Sequence, residues 1–200
     1  MPKSKKLLSP KGQRTQDAIL EATTVCIARD GIESTSITAI ANEAEVSRGL
    51  VAHYFPVKSK MFDDVVRYVS LRAYGFFQAH QESSQKSESA VLDRLHANLL
   101  LFTTYPHYYK TIALLYYLAS IQPHYRKLNT ALVRNATETL ETLLREEGAE
   151  KPQVLAELLH NQLISRIQKY YFVEHGDSLE EFIRKSMEAF RETRSTHCLR

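Results

Sequence analysis

The chain has 200 residues, 44% hydrophobic and 24% charged, with 26 Lys and Arg against 23 Asp and Glu. That balance describes a folding chain of one or two domains with real cores and excludes global disorder. No apolar run is long enough to span a membrane, no apolar leader core is visible, and Cys26 and Cys198 are too few for a disulfide framework. The expectation is a soluble cytoplasmic protein with reduced thiols and no membrane partner. Six Gly and six Pro are sparse punctuation, which favours long helices over many short strands.

Residues 1–12 combine basic residues, Ser and two Pro without periodicity and read as a flexible basic arm. From Gln13 to Asp30 the apolar residues Ala18, Ile19, Ala22, Val25 and Cys26 recur at helical spacing, and Gly31 stops the helix. Ile37, Ile40, Ala41 and Ala44 then fit the i, i+3, i+4, i+7 pattern behind Ser36 as N-cap. Ser47 caps a further short helix through about Tyr54, which Pro56 ends. A fourth helix, rich in aromatics, runs from about Ser59 to His80, and the polar stretch Gln81–Ser89 reads as a loop. Helices follow at about 90–104, 107–120, 124–147, 152–174 and 178–194, set off by Pro106, Pro123, Gly148 and Gly176-Asp177. The fold class is all-α, with about nine helices.

The formal net charge of +3 is unevenly placed. Residues 1–60 hold nine Lys and Arg against six acids, and the other 140 residues hold 17 of each sign. The first 14 residues carry five cations and no acid. The excess therefore sits at one end, where a nucleic-acid-binding segment would put it.

Within residues 36–55, two short helices about three residues apart have helix-turn-helix spacing, in which the first braces the second against the DNA major groove. Ile37, Ile40, Ala41 and Ala44 form the bracing face, Val46 plugs the turn, and Leu50 and Phe55 return to the core. The remaining face of the second helix carries Arg48, Gly49, His53 and Tyr54, suited to phosphates and base edges.

The run Ser36-Ile37-Thr38-Ala39-Ile40-Ala41, followed by Val46-Ser47-Arg48-Gly49-Leu50-Val51-Ala52-His53-Tyr54-Phe55 and Lys58, resembles the DNA-binding domain of the TetR family of bacterial repressors. The resemblance covers roughly residues 13–62; the rest of the chain matches only in length and helical content. It implies double-stranded DNA as partner, with Ser36, Thr38, Ser47, Arg48, Gly49, His53, Tyr54 and Lys58 as the contact set. Ser36 would cap its helix and touch a phosphate, Arg48 and Gly49 would approach the bases, and Tyr54 would reach the DNA backbone. Lys58 would bind a phosphate at the start of the fourth helix. Two positions depart from the family pattern. The turn residue, usually Gly, is Glu45, and a position often held by Tyr is Ala52. The variant Gly-Leu-Val-Ala-His-Tyr-Phe resembles the branch that includes choline-responsive repressors.

The domain organisation expected is the arm at 1–12, a helix-turn-helix domain at 13–58 and a helical effector-binding and dimerisation domain at 59–200. Aromatic residues are dense from about 90 to 147, with His96, His107 and His124 nearby. Buried Tyr hydroxyls need partners, so such rings suit a cavity with polar anchors, although the same rings could simply fill a helical core. The family resemblance points to an effector pocket drawn from Tyr74, Phe77, His96, Phe102, Tyr105, Tyr109, Tyr116 and Tyr117. Its ligand, an unidentified small molecule, could be a quaternary ammonium caged by rings, a planar compound or a lipid. The last two helices carry stripes at Leu155, Leu158, Leu159, Leu163 and Ile167 and at Leu179, Phe182, Ile183 and Phe190. The resemblance implies a homodimer through Leu155, Leu158, Leu159, Ile167, Phe182, Ile183 and Phe190; an intramolecular core would give the same stripes.

No metalloprotease, phosphate-loop, dinucleotide or nucleophile-elbow motif occurs, and no two His are spaced i, i+4. No enzyme activity, cofactor or metal is expected. Cys26 lies on the apolar stripe of the first helix and reads as a small buried hydrophobe. The function expected is a sequence-specific transcriptional regulator, a repressor released from a palindromic operator by a small molecule. The alternatives are a helix-turn-helix protein governed by a protein partner or acting architecturally, and an all-α enzyme or lipid-binding bundle.

Overall fold

The computed structural model describes residues 9–83, 89–173 and 176–198. Nine α-helices run through these residues, and no strand occurs among them. They are α1 (Pro10–Asp30), α2 (Ile37–Glu43), α3 (Arg48–Tyr54), α4 (Lys58–Ser83), α5 (Ala90–Thr104), α6 (Pro106–Ile121), α7 (Pro123–Glu146), α8 (Pro152–Phe172) and α9 (Leu179–Cys198).

Ser, Pro and Gly set the boundaries. Ser9 accepts from the Gly12 N–H and Pro10 opens α1, so the helix begins three residues before the expected Gln13. A proline at the first position already has helical φ and gives up an N–H that had no partner to lose. Pro106, Pro123 and Pro152 open α6, α7 and α8 in the same way. Gly31 ends α1 at φ 81°. The basic arm expected at residues 1–12 is helical from Pro10, and its first eight residues lie outside the described residues. Helix α4 continues to Ser83, through the start of the expected loop at 81–89; residues 84–88 of that loop are likewise outside.

The chain forms two compact units, Met1–Arg72 with His107–Leu114, and Ala73–Pro106 with Leu115–Arg200. The division falls inside α4, because Met61, Phe62, Val65, Val66 and Val69 are buried with the first unit. Ile19, Cys26 and Ile27 of α1, Ile40 of α2, Val51 of α3 and Tyr108 of α6 belong to the same buried set. A fully buried side chain of this size contributes about 1.5–3 kcal/mol.

In the second unit α5 packs against α7, α8 and α9, and α8 packs against α7 and α9. Leu95 and Leu99, Leu140 and Leu144, Leu155, Leu159 and Ile167, and Phe182 and Phe190 supply its core from these four helices. Glu147, at the end of α7, fastens the arrangement. Its carboxylate accepts from Ser89 Oγ at 3.0 Å, the Val91 N–H at 3.1 Å and Arg194 at 2.8 Å, tying the starts and ends of three helices to one charge.

Candidate nucleic-acid interface

Helix α2 is seven residues long, too short to persist alone. Ser36 Oγ caps it by accepting from the Ala39 N–H at 3.1 Å, and Ile40 and Ala41 bury its inner face. Its other end closes in a Schellman motif. The Val46 N–H donates to the Ala41 carbonyl at 2.9 Å and the Glu45 N–H to the Asn42 carbonyl at 3.3 Å, with Glu45 left-handed at φ 54°. Glu45 is the sole non-glycine residue at positive φ among the described residues. The position normally given to glycine in the family pattern is thus the one that requires left-handed backbone.

The turn delivers the chain to Ser47, whose Oγ accepts from the Leu50 N–H at 3.2 Å and caps α3. Val51 is the fully buried residue of α3, and Leu50 is only half-buried. Phe55, just past the helix, is buried as expected. The outer face presents Ser47, Arg48, Gly49, Ala52 and His53, all exposed, together with Ser36 and Thr38 at the start of α2. Arg48 makes no ion pair among the described residues. By contrast, Arg29 is held at 2.9 Å by Glu43 and at 3.0 Å by Asp30, tying α1 to α2. Helix α4 begins at Lys58, whose side chain lies outside the described residues.

Tyr54 has another task in the structure. Its hydroxyl donates to the Gly12 carbonyl at 3.1 Å and is partly buried. While that bond stands, the hydroxyl has no proton for a phosphate, so Tyr54 binds the start of α1 to the end of α3. This brings the exposed Lys11 and Arg14 alongside. Sequence reading missed the tether because it joins residues 42 positions apart.

It also missed Glu21. The Glu21 carboxylate accepts from His107 Nε2 at 2.8 Å and Tyr108 OH at 2.8 Å, holding α6 residues to α1. Burial pushes its pKa up, but hydrogen bonds from His107, Tyr108 and Tyr68 together outweigh burial and hold it below the ordinary carboxylate value. The Tyr108 phenol is pushed up to about 12, chiefly by burial.

The expected effector residues are distributed over both units. Tyr109 is buried in the first unit, while Tyr74 and Tyr117 are 61% and 62% exposed. Phe77, His96, Phe102, Tyr105 and Tyr116 are half-buried in the second unit. Several of these meet residues that sequence reading did not select. Arg94 lies 3.6 Å over the Phe77 ring, His80 is 5.7 Å from His96, and Phe76 is 6.4 Å from Tyr105. Phe102 offers its carbonyl to Tyr171 OH at 2.5 Å. A separate open groove of about 500 Å³ lies between α7 and α8, lined by Arg134, Glu138, Glu141 and Glu157 among others, and includes none of the expected effector residues.

The expected dimer set is also divided. Leu155, Leu159, Ile167, Phe182 and Phe190 are spent in the protomer's own core and have no face left for a mate. Leu158 is 42% exposed and Ile183 is half-buried. Val154 and Phe172, which sequence reading passed over, are 53% and 63% exposed on the same helix as Leu158. Cys26 is buried and unpaired by a disulfide. No group of three or more His, Cys, Asp or Glu among the described residues is placed to hold a metal, and no described helix is long and apolar enough to cross a membrane.

The arrangement of α2, turn and α3 coincides with a family model. Residues 19–65 match the model of bacterial regulatory proteins of the tetR family. Residues 19–65 form a TetR-family DNA-binding segment. The role that this segment supports is DNA binding in transcriptional regulation. No curated protein matches it significantly. Among solved structures, a transcriptional regulator from Rhodococcus sp. Rha1 is 15% identical, with TM-score 0.72 over 92% of this chain and 98% of its own. A regulator from Aquifex aeolicus VF5 is 17% identical, with TM-score 0.70 over 89% of this chain and 98% of its own. A protein from Saccharomonospora viridis, described as a transcriptional regulator and solved with choline, is 19% identical, with TM-score 0.71 over 90% and 96%. At such identities the likeness is one of fold, and it extends beyond the DNA-binding segment to nearly the whole chain.

Proposed function

We propose that the protein is a homodimeric repressor that reads a palindromic operator with α3 and releases it when a small molecule binds the second unit. The observation that carries the reading is the outer face of α3, where an exposed Arg48 without an ion pair stands beside Gly49 on a helix capped by Ser47. Glycine inside a helix costs about 0.5–1 kcal/mol relative to alanine. The fold does not require it: a Cβ at Gly49 would find only Ser47 Oγ, at 4.0 Å. Close approach to an outside surface explains the residue where internal packing does not.

In this reading Arg48 contacts a base edge and Gly49 lets the groove come close. Ser36, Thr38, Ser47 and His53 contact the backbone, and Lys11 and Arg14 add charge beside them. Two copies are needed because half-sites about 34–36 Å apart demand two recognition helices at matching separation. A ligand that favours another separation releases DNA through a coupling free energy, typically about 1–3 kcal/mol.

Selecting bound fragments from the source genome, then titrating the best fragment at two ionic strengths, tests the reading. A palindromic site, affinity that falls steeply with salt, and Arg48→Ala relaxing preference at one or two base pairs by about 1–3 kcal/mol each are expected. Salt-independent binding, or selection without a common site, overturns it.

A further inference from the structure

We propose that Arg94 anchors an anionic ligand, a carboxylate on an apolar body, among Phe76, Phe77, His80, His96 and Tyr105. The inference rests on reading the second unit as the effector-binding part, and it names the class of effector. The Arg94 guanidinium is half-buried and stacks 3.6 Å over the Phe77 ring. Among the described residues no carboxylate pairs with it and its side chain makes no hydrogen bond. Burial lowers its pKa and no neighbouring acid opposes that. Arginine keeps its proton in proteins, so the charge stays, with five donors to satisfy. The ring face returns part of the lost solvation and none of the hydrogen bonds.

A buried cation without a counter-charge is costly unless something supplies one. A carboxylate matches the guanidinium fork with two parallel hydrogen bonds, and a single negative charge balances a single arginine. The surroundings agree. His96 is held below the ordinary imidazole pKa, first by burial and then by His80 and Arg191, with Asp93 acting the other way. It is therefore neutral near pH 7 and can donate an N–H without adding charge. Phe76 stacks on His80 with ring planes 5° apart and meets Tyr105 edge-on, giving an apolar wall for the rest of the ligand. A quaternary ammonium fits poorly here, because the Phe77 face it would use already holds a cation.

The test uses the full-length protein with decanoate, decanol and decyltrimethylammonium, which share one alkyl body and differ in head group. Calorimetry should show decanoate binding the wild type about tenfold or more tighter than decanol, with the ammonium weakest. Arg94→Met should lose the preference for decanoate and keep decanol affinity, and Arg94→Lys should retain part of the preference. Without ligand, Arg94→Met or Arg94→Gln should raise Tm by about 2–4 °C, since an uncompensated charge is removed. A fall in Tm would make Arg94 a structural residue and overturn the proposal, as would decanoate binding no tighter than decanol to the wild type. Release of the selected operator fragment by decyltrimethylammonium and not by decanoate would overturn the anion and leave the effector reading intact. Arg94-dependent decanoate binding that never loosens the operator would keep the anion site and remove the release mechanism.

Discussion

At position 45 the backbone has the geometry of a glycine and the chain supplies an acid. The end of α7 serves as an internal reference, because it closes in the same motif. The Ala149 N–H donates to the Leu144 carbonyl and the Gly148 N–H to the Arg145 carbonyl, with Gly148 at φ 80°. A side chain in left-handed backbone costs about 1–2 kcal/mol, and glycine's extra freedom when unfolded offsets about 0.5–1 kcal/mol of the relief. Glu45→Gly should therefore stabilise the protein by about 0.5–1 kcal/mol, raising Tm by about 1–4 °C in thermal unfolding. It also removes a negative charge from a turn that the proposed reading sets against DNA, so affinity for the selected fragment should rise. An unchanged Tm would mean that the Glu45 side chain returns the strain through a contact of its own. Glu21 gives the opposite kind of prediction. Its folded pKa lies below the ordinary value, so its stabilisation is present above that value and is lost as pH falls through the folded one. Denaturant unfolding from about pH 7 to pH 3 should show an acid-side loss of stability that Glu21→Gln flattens, while lowering stability at neutral pH. A variant with the wild-type pH profile would remove Glu21 from that role.

The short helices depend on their ends. Helix α3 has seven residues, and one buried side chain, Val51, anchors it. Ser47→Ala should cost about 1 kcal/mol and speed amide exchange at the Leu50 N–H. It should weaken binding to every fragment without changing which bases are preferred, the reverse of Arg48→Ala. Altered base preference in Ser47→Ala would show that the hydroxyl reads DNA as well as capping. Caps, prolines and glycines are also why elements were legible from sequence: Ser36, Ser47, Gly31, Pro106, Pro123 and Gly148 each act within three or four residues of themselves. What was not legible depends on residues far apart. Nothing near Tyr54 announces Gly12, and nothing near Glu21 announces Tyr108, 87 positions on. Within α3 the apolar pattern sent Leu50 to the core, whereas Val51 is the fully buried residue and Leu50 is only half-buried.

For the whole molecule, the question is which surface of α8 is left after the protomer has built its core. Helix α8 carries a buried apolar stripe and a mixed outward one. Leu155, Leu159, Leu163 and Ile167 face inward and are buried. Val154, Leu158, Asn161, Ser165, Gln168 and Phe172 are exposed and recur at the alternating four- and three-residue spacing of a helix-pairing seam, with three of the six apolar. Leu155, Leu158 and Leu159 lie within about one turn, so the sequence alone could not say which of them face inward; burial does. The dimer proposed here therefore rests on the outward stripe, and two substitutions distinguish the cases. Phe190→Ala empties a fully buried site and should cost about 3–5 kcal/mol of protomer stability, with any loss of assembly following from unfolding. Leu158→Glu removes only exposed apolar surface and should keep the helical content seen by circular dichroism while yielding a monomer in sedimentation. Because assembly stabilises by mass action, wild-type Tm should rise with protein concentration and Leu158→Glu Tm should not. The monomer should also lose the paired half-site footprint and retain weak, salt-sensitive binding to single half-sites. A Leu158→Glu protein that still sediments as a dimer would move the interface away from this face of α8.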